Sequence, residues 1–344
     1  MGREDDGAVR FLLIQKERSN KIACMTTYKQ SELKLTERIL ATEGRHRFWQ
    51  KAAFKQGLTG WFFAAPILLY FAVFVFGPII ASITLVFFDW NGFGDLSSAQ
   101  FVGLANLKEL AVDPRFLGAY RNTLIYTAVV VSSNIVLGLA LALAVNKVVQ
   151  GAGFVRAVYF FPVILPLTAM SLLWGLLYQP AYGLYNQILG MVGLPPVLWL
   201  HSTQTALLSI CLMIVWKELG WYMVIFLAGI KAIPEEYYEA ARIDGAGAWQ
   251  QFRGVTLPLL RPTLLFVIVV SAINSLQVFS PIHMMTKGDP VNATNTVVYW
   301  MYRTAFYHLR FGYGTSMAAA LFIAILIFTL VQFRFFREGG VTSY

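Results

Sequence analysis

Lys217 and Glu218 stand side by side in a long apolar run, with Trp216, Trp221 and Tyr222 around them. Ionisable side chains inside such a run are costly in hydrocarbon, so they are expected to face a bundle interior, a wet cavity or an interface. A second polar interruption, Ser271, Asn274, Ser275 and Gln277, breaks another apolar run, with Asn274, Gln277 and Pro281 about one helical turn apart. Aromatic faces flanked by hydrogen-bonding groups suit the C–H faces and hydroxyls of a sugar ring. An interfacial Trp–Lys belt is the competing explanation for the first group, and interhelical hydrogen bonding for the second. Catalytic chemistry has little to stand on. No Gly-x-x-x-x-Gly-Lys-Ser/Thr phosphate cradle, His-Glu-x-x-His, Gly-x-Ser-x-Gly or Cys-x-x-Cys occurs, and His46, His201, His283 and His308 are scattered.

A third segment differs in kind. Tyr238-Glu239-Ala240-Ala241-Arg242-Ile243-Asp244-Gly245-Ala246, followed by Val255-Thr256-Leu257-Pro258, is a polar stretch between two apolar ones. Pro234 fits the first position of a helix running to about Ile243, with Glu235 and Glu236 in the first turn, where negative charge suits the helix dipole. Gly245 is expected to end that helix and Asp244 to cap the next, giving two short helices with a sharp bend. Tyr237, Tyr238, Ile243, Trp249 and Phe252 put large apolar groups on a segment too polar to span lipid, which marks a docking surface for another protein.

The elements that must position these groups follow from composition. Of 344 residues, 57% are hydrophobic and 13% charged, too apolar a balance for a soluble fold and suited to a bilayer. Six stretches reach the roughly 20 residues that cross about 30 Å of hydrocarbon: Trp61–Phe88, Asn122–Val145, Val155–Tyr178, Thr205–Ile230, Thr263–Met285 and Gly314–Phe335. The fold class expected is all-α, integral to the membrane, with residues 58–338 forming a six-helix domain and 231–260 its polar loop. Pro66, Gly77, Pro78, Pro162, Pro166 and Pro281 fall inside these stretches, where neighbouring helices can satisfy the freed carbonyls; such breaks mark either a hinge or cavity or a packing kink.

Lys and Arg crowd the segment before Trp61, Arg38, Arg45, Arg47, Lys51 and Lys55 among them, whereas the loop after the first stretch offers Lys108, Arg115 and Arg121. This bias places the start of the chain inside, and an even number of crossings brings the C-terminus, flanked by Arg334 and Arg337, to the same side. The loop holding Glu239 then faces the cytoplasm. The net charge of +9 is explained by this retention and by attraction to anionic membrane lipid rather than by nucleic-acid binding. Residues 1–57 read as a cytoplasmic extension without a signal peptide, ending in an interfacial helix around Arg47, Phe48, Trp49, Lys51, Phe54 and Lys55. Cys24 and Cys211, one in that extension and one inside a span, are not expected to pair.

The spacing Glu-Ala-Ala, three residues, Gly, nine residues, Val-x-Leu-Pro resembles the signature loop of permease subunits of binding-protein-dependent ATP-binding cassette importers, with Val255 where Ile is usual. Phe101-Val102-Gly103-Leu104-Ala105-Asn106, Arg121-Asn122-Thr123-Leu124, Tyr182-Gly183-Leu184-Tyr185-Asn186 and Thr286-Lys287-Gly288-Asp289-Pro290 are similar to segments of the sugar and glycerol-3-phosphate group, which usually has Gly at the place of Asp289. The resemblance implies the type I importer fold with cytoplasmic coupling helices, pairing with a second, similar permease to form a heterodimer, two cytoplasmic ATPases and an external solute-binding protein. ATP and Mg would sit on the ATPases, with no cofactor and no catalytic or metal site on this chain. ATPase coupling would fall to Tyr238, Glu239, Ala240, Ala241, Asp244, Gly245, Ala246, Leu257 and Pro258, with Glu239 meeting a basic residue of the ATPase. By position in maltose-type relatives, the solute would be lined by Glu218, Leu219, Tyr222, Ser271, Ser275, Gln277 and Val278, with Asn274 beside them. An ion-coupled secondary transporter is the alternative; it would need no ATPase and would often carry an inverted repeat, which this chain does not display.

Overall fold

A computed structural model describes residues 60–93, 95, 98–147 and 151–337. The expected interfacial helix before Gly57 and Cys24 lie outside the described residues. Two compact units divide the chain, residues 1–79 and residues 80–344. The described part of the first unit belongs to helix α1, Gly60–Leu85, apolar throughout and with no buried residue over its π-turn at Ala72–Phe76.

In the second unit a short antiparallel ladder, β1 (Phe88–Asp89) with β2 (Gln100–Phe101), precedes helices α2 (Ala105–Val112), α3 (Pro114–Asn146), α4 (Ala152–Ile164), α5 (Leu167–Leu177) and α6 (Leu184–Met191). Then follow α7 (Ala206–Lys231), α8 (Glu235–Ile243), α9 (Ala248–Gln251), α10 (Arg261–Leu276), α11 (Ser280–Met285), α12 (Val297–Tyr302) and α13 (Phe311–Arg337). Among the described residues, five helical segments are long and apolar enough to cross a membrane, and the bent pair α4–α5 makes a sixth if counted as one crossing.

The limits of these helices correct several expectations. The first ends at Leu85 rather than Phe88, because Phe88 pairs with Phe101 in the ladder. Helix α3 starts eight residues before Asn122: Pro114 occupies its first turn and the Asp113 carboxylate accepts from the Arg115 amide at 2.9 Å, a complete start signal. The third stretch is not one helix. Leu165 and Pro166 take extended dihedrals and α5 leaves α4 at 95°, since proline pushes its predecessor out of the helical region. The fifth stretch is likewise interrupted between Leu276 and Ser280, where Gln277 leaves helical geometry and Pro281 stands in the first turn of α11.

Packing rests on close helix approach. Gly220 on α7 lies so near α4 that a Cβ there would run into the Tyr159 carbonyl, the kind of small-residue contact that lets helices associate where water is absent. One core joins α3, α7 and α10 through Leu139, Ala142, Phe226, Leu260 and Val267. Another gathers Trp174, Tyr178, Ile210, Met213 and Ile282. A third holds Leu110, Phe116, Trp300, Tyr313 and Met317.

The sequence segments similar to sugar-type permeases prove to be joints between these helices. Asn106 donates to the Val86 and Phe88 carbonyls. Asn122 donates to the carbonyls of Asn292 and Asn295, both at 3.0 Å, and the Thr123 hydroxyl accepts from the Val297 amide. Asn186 bonds Pro180, Val197 and the Trp199 indole. Glu109 and Arg310 form a two-point ion pair, which holds the guanidinium pKa above its ordinary value. These ties gather at the end of the bundle where α3 begins.

Candidate functional site

At the other end of the bundle, the sequence from Pro234 to Leu260 makes a bent pair of short helices. Pro234 caps α8 from outside, with extended ψ, instead of taking its first helical position. At the C-terminus of α8, Asp244 is the last half-helical residue and Gly245 takes φ +77°, a left-handed conformation that costs little only for glycine. The Gly245 amide returns to the Arg242 carbonyl and the Ala246 amide to the Ala241 carbonyl, closing the two orphan acceptors of the turn. Asp244 does not cap the second helix. Gly247 does, its amide held by the Gln250 side chain at 2.7 Å.

The two halves of the signature are bolted together by Tyr238, whose hydroxyl lies 3.0 Å from the Thr256 hydroxyl. Thr256 is buried beneath the π-turn Phe252–Thr256, directly before Leu257 and Pro258. What remains outside is strongly apolar for an exposed surface: Ile243 is 86% and Trp249 70% exposed, and Tyr237 on α8 is exposed as well. Trp249 stacks on Phe252 at 5.4 Å. Glu239, Ala240 and Gly245 are exposed, with Ala241 and Ala246 half-buried. A groove of about 480 Å³ beneath α8 and α9 is lined by Tyr238, Arg242, Trp249 and Phe252 together with Asn146 and Lys147 at the end of α3. The arrangement can receive a complementary protein surface and pass its displacement to α7 and α10, which leave directly from either end of the pair.

The second assembly lies inside the bundle. A cavity of about 250 Å³ is bordered by Glu218 of α7, by Asn274 and Ser275 of α10, and by Gln277, Val278 and Phe279 at the break before α11. Ser271 and Tyr222 sit behind this wall, both fully buried, and Leu219 does not border the cavity. Asn134, on α3, holds the wall together: its side-chain amide donates to Glu218 Oε2 and to Ser271 Oγ, both at 3.1 Å. Three helices thus share one polar network. Lys217 takes no part in it; its Nζ donates to the Val163 carbonyl at the end of α4.

Sequence reasoning missed Asn134 and Tyr126, which also borders the cavity. A lone carboxamide in the apolar stretch of α3 was the available signal, because an amide in hydrocarbon needs a partner on another helix. Asn134 stands within the run from Val129 to Leu143.

Comparison with known proteins agrees with this architecture. The model of the family described as binding-protein-dependent transport system inner membrane component matches residues 134–337. A probable ABC transporter permease of Bacillus subtilis, YurN, is 34% identical over 80% of this chain and 95% of its own. The trehalose/maltose transport system permease protein MalF of Thermococcus litoralis is 32% identical over 83% and 95%. Among solved structures, a bacterial ABC transporter involved in the import of the acidic polysaccharide alginate superposes with a TM-score of 0.74 at 23% identity, over 86% of this chain and all of that one. The chain belongs to the family of inner-membrane permeases of binding-protein-dependent ABC importers, whose working complex includes a solute-binding protein and an ATPase.

Proposed function

We propose that this chain pairs with a second, similar permease as a heterodimer, with two cytoplasmic ATPases and an extracytoplasmic solute-binding protein, to import a sugar, a related polyol or a sugar phosphate. Both termini and the Glu239 loop lie in the cytoplasm, a placement supported by the Lys and Arg before Trp61. The chain itself is not an enzyme; ATP and Mg bind the ATPases. The observation that carries the reading is the α8–α9 pair, whose Gly245 turn leaves Ile243, Trp249 and Glu239 exposed while Tyr238 and Thr256 tie α8 to the π-turn that follows α9. Such a unit transmits motion as a body. Closure of the ATPases would move it, and the pathway would alternate between its two faces.

Glu239, exposed on α8, would meet a basic residue of the ATPase. Glu239→Arg replaces an attraction by a repulsion at that contact. ATP-dependent uptake into proteoliposomes carrying the whole complex should fall at least tenfold, with the thermal midpoint of the complex unchanged. Full uptake by the variant would remove Glu239 from the coupling contact. Uptake by the wild type that persists without ATP and follows an ion gradient would favour a secondary transporter instead.

A further inference from the structure

We propose that Glu218 makes the cavity selective for uncharged, hydroxyl-rich solutes and excludes those carrying a phosphate, carboxylate or sulfonate. The proposal rests on the importer reading above and names the class of cargo that this subunit's site admits. Among the residues bordering the cavity, Glu218 is the only acid and there is no Lys or Arg. The remaining polar lining, Asn274, Ser275, Gln277 and Ser280, is neutral and offers both donors and acceptors.

A carboxylate only accepts hydrogen bonds, so a sugar hydroxyl satisfies it and a second anion cannot. Two like charges a few ångströms apart in a site of reduced dielectric repel strongly, and no cation in this cavity offsets the repulsion. Lys217 is the cation nearest in sequence, but successive helical residues do not face each other, and its ammonium is bound to the Val163 carbonyl on α4. Arg115 and Arg121 line a separate groove of about 710 Å³ at the start of α3, and neither borders the Glu218 cavity. Asn134 fixes the carboxylate by one oxygen, Oε2, which leaves Oε1 as the acceptor to present. Ser271, held by the same amide, keeps that donor from turning away.

The relatives frame the choice. A permease named for trehalose and maltose shares 32% of its residues with this chain, and a chain of the same fold serves an acidic polysaccharide. The fold accommodates both classes, so the distinction must come from side chains.

The test uses the full complex with its own binding protein in proteoliposomes, and the probes are radiolabelled trehalose, maltose, sn-glycerol-3-phosphate and a glucuronate-containing disaccharide. Uptake confined to the neutral probes supports the proposal, and uptake of either anion by the wild type at the neutral rate overturns it. Glu218→Gln and, at the open rim of the cavity, Gln277→Lys should each raise the ratio of anion to neutral uptake at least tenfold. An unchanged ratio in both variants overturns the assignment. Gln277 is exposed, so its variant remains informative if Glu218→Gln does not fold. Should none of the probes be taken up, a structure of the complex with its native cargo decides. A hydroxyl on Glu218 Oε1 supports the proposal, and an anionic group against that oxygen, or cargo held elsewhere, overturns it. Failure of the importer reading appears separately, as uptake that does not need ATP.

Discussion

The Gly245 turn and the Glu218 cavity are held together over different distances along the chain. In the turn, Gly245 bonds Arg242, Ala246 bonds Ala241 and Gly247 bonds Gln250, all within five residues, and the longest tie, Tyr238 to Thr256, spans eighteen. In the cavity, Asn134 reaches Glu218 across 84 residues and Ser271 across 137. A locally closed unit can move without disturbing its own bonds, as a coupling element must. A site assembled from three helices changes shape when any of them shifts, as a pathway that opens and closes must.

Substitutions can break or sharpen that contrast. The largest effect is expected where α7 touches α4: Gly220→Leu forces a side chain into the Tyr159 backbone, and overpacking of this kind costs about 1–3 kcal/mol or more. The complex should fail to assemble on a native gel. Asn134→Leu leaves Glu218 and Ser271 without their shared donor, a loss of about 1–3 kcal/mol. Its melting point should drop, and Ser271→Ala added on top should lower it by less than in the wild type, since the two act through one amide; simple additivity would refute the network. Gly245→Val puts a branched residue at φ +77° and should cost about 1–2 kcal/mol, with uptake per ATP hydrolysed falling while the cavity's solute preference holds. A changed preference would mean that the two regions are not separable. Arg242→Ala marks the lower limit. Its 2.7 Å pair with Glu235 is exposed on both sides, and such pairs contribute about 0–1 kcal/mol, so the melting point should stay within error.

The same difference in distance decides what could be read from the sequence. The bent helix pair was legible because its start, its glycine and its length are encoded in adjacent residues, down to the exposed Ile243 and Trp249. Its fine detail was not. Asp244 and Pro234 each have two plausible capping roles, and the choice depends on where the next helix begins. The apolar stretches of α1, α3, α7 and α13 were equally plain, with errors at ends such as Pro114, where cap chemistry overrides hydropathy. Pro166 left a hinge and a packing kink equally open; whether a proline bends or severs a helix depends on what can satisfy the carbonyls it frees, and that partner, Lys217, lies on another helix. Asn134 went unnoticed for the same reason, since its importance resides in Glu218 and Ser271.

At the elbow between α4 and α5, the lysine ammonium does the work of a peptide N–H. Once Leu165 and Pro166 turn the backbone aside, the Val163 oxygen has lost its neighbour in the helix, and position 217 supplies a donor from across the bundle. Positions 166 and 217 are therefore energetically interdependent: straightening the elbow would strand an ammonium group in the membrane, and trimming the lysine would strand an oxygen. A sequence that drifts at one of them gains by drifting at the other.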